Sequence, residues 1–345
     1  MQIGIVTIYS ILNQENNVFN PSSYVIGDNL GYPFIRLKYE LKKRDIEFNT
    51  TDVQGLENYK KIIFFDIPTK NVFDIEEIAK FYDMEFYLVL FESELIAPKN
   101  YVRENHKYFE KVFTWNDRWV DGKKYIKYYW PNKIPANLDF DLNRKNKFCT
   151  LIAGNKSVKH PLELYSERIN AIRWFERYHP EEFDLYGVGW DKHVFRGRII
   201  NRLNKIEPLT RLLAPKYPSY KGAIESKTQI LKDYKFAICY ENARDIPGYI
   251  TEKIFDCFFA GCVPVYWGAP NVTDFIPAST FIDKRNFKSY EELYRYLKTM
   301  PTAEYERYLD AIEKFVKSDA MYLFSAEYFA DMITAEITES LTLKE

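Results

Sequence analysis

The residues best suited to chemistry lie in one run, Tyr240 to Pro270, which reads YENARDIPGYITEKIFDCFFAGCVPVYWGAP. An apolar strand pattern, Phe236 to Tyr240, ends in Glu241 and Asn242; a turn with Pro247 and Gly248 follows, and Thr251 opens an apolar helical pattern. A strand, a loop and a helix N-terminus make a ready anion site, because the first N–H groups of a helix have no intrahelical partner and the helix dipole favours negative charge. Thr251 has the side chain of an N-cap. Glu252 and Lys253, in the first turn, suit a ribose diol and a phosphate: a carboxylate accepts two hydroxyls, and an ammonium is a compact counter-charge. A surface turn can carry the same residues, so the pattern by itself admits both uses.

A second stretch departs from the rest in charge. Between Arg196 and Lys216 stand six basic residues (Arg196, Arg198, Arg202, Lys205, Arg211 and Lys216) and one acid, Glu207. Ile199, Ile200, Leu203, Ile206, Leu209, Leu212 and Leu213 recur there at helical intervals. This basic amphipathic segment suits anionic lipid or a phosphate-bearing ligand, and equally a solvated helix with an ordinary buried face. Over the whole chain charge is balanced: 48 Lys and Arg against 49 Asp and Glu leave −1, so no global field draws in nucleic acid, and none is expected as a partner. Cys149, Cys239, Cys257 and Cys262 sit in apolar runs without CxxC spacing and read as reduced core thiols; with four scattered His, no protein-built metal site is expected. Aromatic residues reach 17%, enough for some to face a sugar or a base.

Two sets of elements must position these residues. The 345 residues fit about two domains. In the first, short β-rich runs (Ile3–Ile8, Ile46–Asn49, Lys61–Asp66, Glu85–Phe91, Lys111–Trp115) alternate with helical patterns at Tyr32–Lys43 and Asp74–Tyr82, the signature of an open, mostly parallel α/β sheet. WPNKIPANLDFDLNRKNK, Trp130 to Lys147, is polar and Pro/Asn-rich and reads as the interdomain linker. A second alternation follows: Phe148–Ile152, a helix from about Leu162 to Tyr178, Phe183–Tyr186, Lys235–Tyr240, the helix from Thr251, Val263–Tyr266 and Thr280–Ile282, then helical runs at Tyr290–Thr299, Ala303–Lys317 and Ala326–Ile337. The reading is an α/β chain with a domain over 1–140, a second over 141–320, and a C-terminal helix and tail over 321–345, with ligands in the cleft at the carboxyl ends of the strands. MQIGIVTIYSIL has no basic n-region and reads as a first strand, not a leader. The most apolar run, Ile254 to Trp267, contains Asp256 and Pro264 and is too short to span a bilayer.

The run from Tyr240 to Pro270 resembles the signature of glycosyltransferase family 10, the α-1,3/4-fucosyltransferases. It stands here as Tyr240-Glu241-Asn242-Ala243, Tyr249-Ile250-Thr251-Glu252-Lys253 and Val263-Pro264-Val265-Tyr266-Trp267-Gly268, with Ser279-Thr280-Phe281-Ile282 also matching; the first domain matches more weakly through Phe91-Glu92-Ser93-Glu94 and Phe113-Thr114-Trp115-Asn116. The resemblance implies two Rossmann-like domains facing a cleft (GT-B architecture), GDP-fucose as donor, inversion at the anomeric carbon and a GlcNAc- or N-acetyllactosamine-type acceptor. It assigns Asn242, Tyr249, Glu252 and Lys253 to the nucleotide diphosphate and ribose, and Arg168, on the first helix of the second domain, to the diphosphate, with Arg173 one turn on as its rival.

Inverting transfer needs a base for the acceptor proton. Glu92 follows an apolar strand, at the sheet edge where ligands bind, and resembles the family's base; Glu94 is its rival, and the family's Glu-Ser-Pro is here Glu92-Ser93-Glu94. An Arg fork and a Lys can neutralise the departing diphosphate, so no metal cofactor is required and Mn²⁺ or Mg²⁺ is at most a non-essential stimulant. The chain looks like bacterial family members that act in the cytoplasm on lipid-linked glycan precursors, and residues 196–216 are then expected to touch an anionic inner membrane. Two other readings keep the site: the same fold with another GDP-linked hexose, and a glycan- or nucleotide-binding protein without turnover.

Overall fold

The computed structural model describes residues 1–24, 28–138, 140–193, 195 and 200–342. Its first sheet has six parallel strands: β1 (Gln2–Thr7), β2 (Glu47–Thr50), β3 (Lys61–Phe65), β4 (Glu85–Leu90), β5 (Lys111–Thr114) and β6 (Tyr125–Lys127), in the order β2-β1-β3-β4-β5-β6. β3 is buried at all five positions, as expected of a central parallel strand covered on both faces. The covering helices include α1 (Tyr32–Lys42) and α2 (Ile75–Phe81), the latter capped by Asp74, which accepts from the Glu77 N–H at 3.2 Å. The short β6, with no fully buried position, lacks the apolar run that marks the other strands and is absent from the sequence reading.

The second sheet has five parallel strands, β7 (Lys147–Ile152), β8 (Phe183–Tyr186), β9 (Tyr234–Tyr240), β10 (Val263–Trp267) and β11 (Ile282–Asp283), in the order β11-β10-β9-β7-β8. Its direction of winding reverses between β7 and β9, and such a switch point opens a crevice at the carboxyl ends of the strands. Its helices are α3 (Tyr165–Tyr178), α4 (Glu207–Leu212), α5 (Lys227–Leu231), α6 (Glu252–Phe259), α7 (Tyr290–Thr299), α8 (Thr302–Val316) and α9 (Asp319–Tyr322). All four cysteines are buried and unpaired.

The last helix, α10 (Ala326–Thr342), returns to the first sheet. It packs on α1 and puts Phe329, Ala330, Ile333 and Ile337 into the core that holds Ile3, Leu37 and Phe65. Of the stretch read from sequence as a closing helix and tail, 321–345, the part from Phe329 to Ile337 therefore supplies core to the N-terminal sheet, while Met321 and Phe324 belong to the core of the second. The outgoing and returning crossings are stitched together where the Asn132 N–H donates to Phe324 O (2.8 Å) and the Ala326 N–H to Asn132 O (2.9 Å).

Of the basic segment, Arg196 and Arg198 lie outside the described residues. Over residues 200–216 the helical periodicity gives a 3₁₀ segment, Ile200–Lys205, followed by α4. Ile200, Ile206, Leu212 and Leu213 are exposed beside Arg202, Lys205, Arg211 and Lys216. No described helix is long and apolar enough to cross a membrane.

Candidate active site

The site is built at the carboxyl end of β9. Glu241, the next residue, is wholly buried, and its carboxylate organises the turn that follows. One oxygen accepts the Thr251 N–H at 2.8 Å; the other accepts the Thr251 hydroxyl at 2.7 Å and lies 3.3 Å from the Lys253 ammonium. Thr251 stands at the N-cap position of α6, but its hydroxyl donates to Glu241 and makes no cap bond to the helix. That corrects the sequence reading of Thr251 as a side-chain cap: a buried carboxylate is the stronger acceptor, and it captures the hydroxyl.

Lys253 also donates to Thr251 Oγ1 (3.0 Å) and Glu252 (3.3 Å). Burial would lower its pKa, but the Glu252 and Glu241 carboxylates outweigh that and hold the ammonium above the ordinary range. Glu252 is likewise pulled down to about 2, burial being overcome by Lys253 and Lys227. Lys227, on α5, lies 2.8 Å from Asp256 and 3.8 Å from Glu252. Both signs of charge are thus fixed at the N-terminal end of α6.

Arg168 projects from the buried face of α3. It donates to the carbonyls of Tyr240 (2.6 Å) and Glu241 (2.8 Å) and to Asn242 Oδ1 (3.1 Å), so it braces the end of β9 and holds Asn242. Arg173 is exposed on another face of α3, where it pairs with Glu176 at 2.6 Å and donates to Lys216 O at 2.8 Å. Arg168 and Asn242 are therefore brought to the site, and Arg173 is not. Tyr249 is buried against Trp115 of the first domain, ring centroids 4.6 Å apart, with its phenol near Ser93. Its placement is in the seam between the domains. The loop that carries it runs so close to the first domain that a Cβ on Gly248 (φ +80°) would lie 2.2 Å from Trp115 O, which demands glycine there.

Glu92 follows β4 in the first domain, half-buried. Its carboxyl is raised above the usual range chiefly by burial; Lys156 and Lys253 oppose the rise, Glu252 adds to it, and Tyr9 is a hydrogen-bonding neighbour. Glu92 thus feels the charges of Glu252 and Lys253 from across the cleft, and it lines the same cavity as Glu252. Glu94 is engaged elsewhere, 3.1 Å from His160 Nε2. A cavity of about 490 Å³ opens between the domains, lined by Tyr9, Tyr24, Trp130, Asp66 and Glu92 on one side and by Thr228, Glu252 and Asp256 on the other. Among the described residues no cluster of three or more His, Cys, Asp or Glu could hold a metal ion.

Sequence reasoning missed four contributors. Glu241 was visible inside the motif, and a carboxylate at the end of an apolar strand was its signal. Lys227, Lys156 and Asp66 lie on other elements and no local pattern marks them. The buried Tyr165 hydroxyl, next to Arg168 and Lys253, has no hydrogen-bond partner among the described residues.

Two parallel α/β sheets with a site at their facing carboxyl ends define the GT-B class of glycosyltransferase folds. Solved structures agree at the level of fold: an α1,3-fucosyltransferase crystal structure (TM-score 0.52, 16% identity, covering 91% of this chain and 80% of that one) and Anabaena HepE with UDP and glucose (TM-score 0.56, 12% identity, 98% and 99%). Residues 189–333 match glycosyltransferase family 10 (fucosyltransferase), C-terminal part. Similar proteins include an α-(1,3)-fucosyltransferase of Helicobacter pylori, 37% identical over 118 residues, and an α-(1,4)-fucosyltransferase of Arabidopsis thaliana, 41% identical over 70 residues. A GDP-fucose protein O-fucosyltransferase 3 of Gallus gallus is 41% identical over 85 residues. These matches span 34%, 20% and 24% of this chain and only 24%, 17% and 18% of the three relatives.

Proposed function

We propose that the protein is an inverting fucosyltransferase that moves L-fucose from GDP-fucose to a hydroxyl of a GlcNAc- or N-acetyllactosamine-type glycan, in α-1,3 linkage. The observation that supports this reading is that Glu92 from one domain and Glu252 from the other line one cavity of about 490 Å³, with the Lys253 ammonium 3.3 Å from Glu252. The acceptor hydroxyl attacks the anomeric carbon from the face opposite the diphosphate, and its proton passes to Glu92. The bond from that carbon to the β-phosphate oxygen breaks, and GDP leaves with the electron pair. Lys253 and Arg168 lie where that charge grows; Glu252 takes the ribose diol and Asn242 is oriented by Arg168. With two fixed cations available, turnover needs no divalent metal, and Mn²⁺ or Mg²⁺ is at most a stimulant. The exposed apolar and basic residues of 200–216 support a further part of the reading: peripheral contact with an anionic inner-membrane surface on the cytoplasmic side, near a lipid-linked acceptor.

The test is a donor panel in EDTA with GDP-fucose, GDP-mannose, UDP-galactose and UDP-GlcNAc, offered with N-acetyllactosamine, a type 1 chain open at O4, and a serine/threonine peptide. GDP release from GDP-fucose with a deoxyhexose on O3 of GlcNAc is the expected result. Transfer only to O4, only to the peptide, or only from another donor overturns the corresponding part. Glu92→Gln should cut transfer by about 10²-fold or more, the usual worth of a general base, with GDP affinity unchanged.

A further inference from the structure

The loop that carries Glu92 has left the sheet. β3 and β4 pair as far as Phe65 with Val89, after which the Asp66 N–H donates to Val89 O at 2.9 Å and the ladder ends. The amides of Phe91 and Glu92 would then be left without a ladder partner at a half-buried position, where an unmade hydrogen bond is costly. Both are taken by one side chain. Asp66 Oδ1 accepts the Phe91 N–H at 2.7 Å and the Glu92 N–H at 3.0 Å, and Asp66 Oδ2 lies 3.3 Å from the Glu92 N–H. The carbonyls of the same stretch are also held by buried side chains: Leu90 O by the Tyr128 hydroxyl (2.7 Å), Phe91 O by Trp115 Nε1 (3.1 Å) and Glu92 O by the Tyr101 hydroxyl (3.2 Å). Past the end of the sheet, side chains have replaced the ladder.

Asp66 is an expensive residue to use for this. It is 3% exposed, no ion pair to it is seen among the described residues, and its backbone sits at φ +63°, a region that non-glycine residues seldom occupy. Strain and a buried carboxylate persist only where the surroundings over-determine them, and such positions cluster at functional sites. Asp66 is itself pinned: Asn100 donates to its Oδ1 at 2.6 Å and accepts the Ile67 N–H at 2.8 Å.

We propose that Asp66 is a positioning residue for Glu92: by taking the two amides that lead into it, Asp66 fixes the main chain of the base and aims its carboxylate at the acceptor hydroxyl. This rests on Glu92 being the base. It goes beyond that reading by assigning a residue outside any motif, 26 positions earlier in the chain, that acts on the reaction only through Glu92.

Three variants test it. Asp66→Ala frees both amides, and kcat should fall about 10- to 100-fold, the cost of a misplaced catalytic group, with the Kd for GDP unchanged. Asp66→Asn keeps an oxygen for the same amides and should recover kcat to within about 3-fold of wild type, as tolerated by a net hydrogen-bond difference under 1 kcal/mol. In a Glu92→Gln background Asp66→Ala should change the residual rate less than about 2-fold, because residues acting as a unit are not additive. The proposal is overturned by wild-type kcat in Asp66→Ala, by an equal further loss in the Glu92→Gln background, or by GDP affinity falling in step with kcat. If Asp66→Ala does not fold, Tyr101→Phe, which removes one hydroxyl from Glu92 O, should lower kcat at unchanged Kd for GDP, and wild-type kcat there overturns it. Full turnover in Glu92→Gln alone is a different result and refutes the assignment of the base.

Discussion

Replacing Lys253 by Met keeps the aliphatic stem and removes only the ammonium. In the free protein that ammonium lies 3.3 Å from both Glu241 and Glu252, so its charge is already partly balanced before a ligand arrives. Truncating one partner of a buried, hydrogen-bonded charge pair across an interface typically costs 2–5 kcal/mol; the two carboxylates compete for this cation, which places the loss at the low end, about 2–3 kcal/mol. That is about a 30- to 140-fold rise in the Kd for GDP. Calorimetry with GDP would measure it, at low salt and again at about 0.5 M, where a largely buried contact should survive screening that removes exposed ones. Arg173→Ala, on an exposed face of the same domain and already paired with Glu176, serves as the control and should bind GDP as wild type does. A thermal melt with GDP present distinguishes lost binding from lost fold. A rise in Kd under about 3-fold, with the fold intact, would refute the placement of the diphosphate beside Lys253.

Arg168→Ala should weaken GDP binding and also lower the melting temperature, since its guanidinium braces two carbonyls at the end of β9; loss of stability alone would reduce Arg168 to a structural brace. The pH dependence of stability should carry the mark of Asp66, whose carboxyl burial and Glu92 push up to about 7. Because the folded-state value lies above the unfolded one, this contribution is fully present below about pH 4 and is lost as pH rises to about 7, with roughly 2–3 kcal/mol disappearing between pH 5 and pH 7. Urea melts of wild type and Asp66→Asn across that range should differ by this slope, and parallel curves would count against a titrating Asp66. Flotation with anionic vesicles should carry the wild type upward and leave behind a variant with Arg202, Lys205, Arg211 and Lys216 all changed to Gln; equal behaviour of the two would end the membrane reading.

Most of the elements, and the contiguous stretch from Glu241 to Lys253, were legible in the sequence. β8, α7 and the strands beside Glu241 and Glu92 fall where hydrophobic periodicity puts them, because a strand buried on both faces must be apolar along its length, and that is a local property. Glu241 to Lys253 could be read in one stretch because a strand end, a turn and a helix start are contiguous in the chain. Choosing between rivals was beyond it. Arg168 and Arg173 lie five positions apart on one helix, and only the packing of α3 buries the first and exposes the second. Glu92 and Glu94 both follow β4, and only the fold sets His160 against Glu94 and the Glu252–Lys253 pair near Glu92. The return of α10 to the first sheet, the burial of Tyr249 against Trp115 and the hold of Asp66 on the Glu92 amide join residues far apart in the chain. Such contacts depend on sheet order and domain closure, which local periodicity does not encode, so they were decided by the tertiary structure alone.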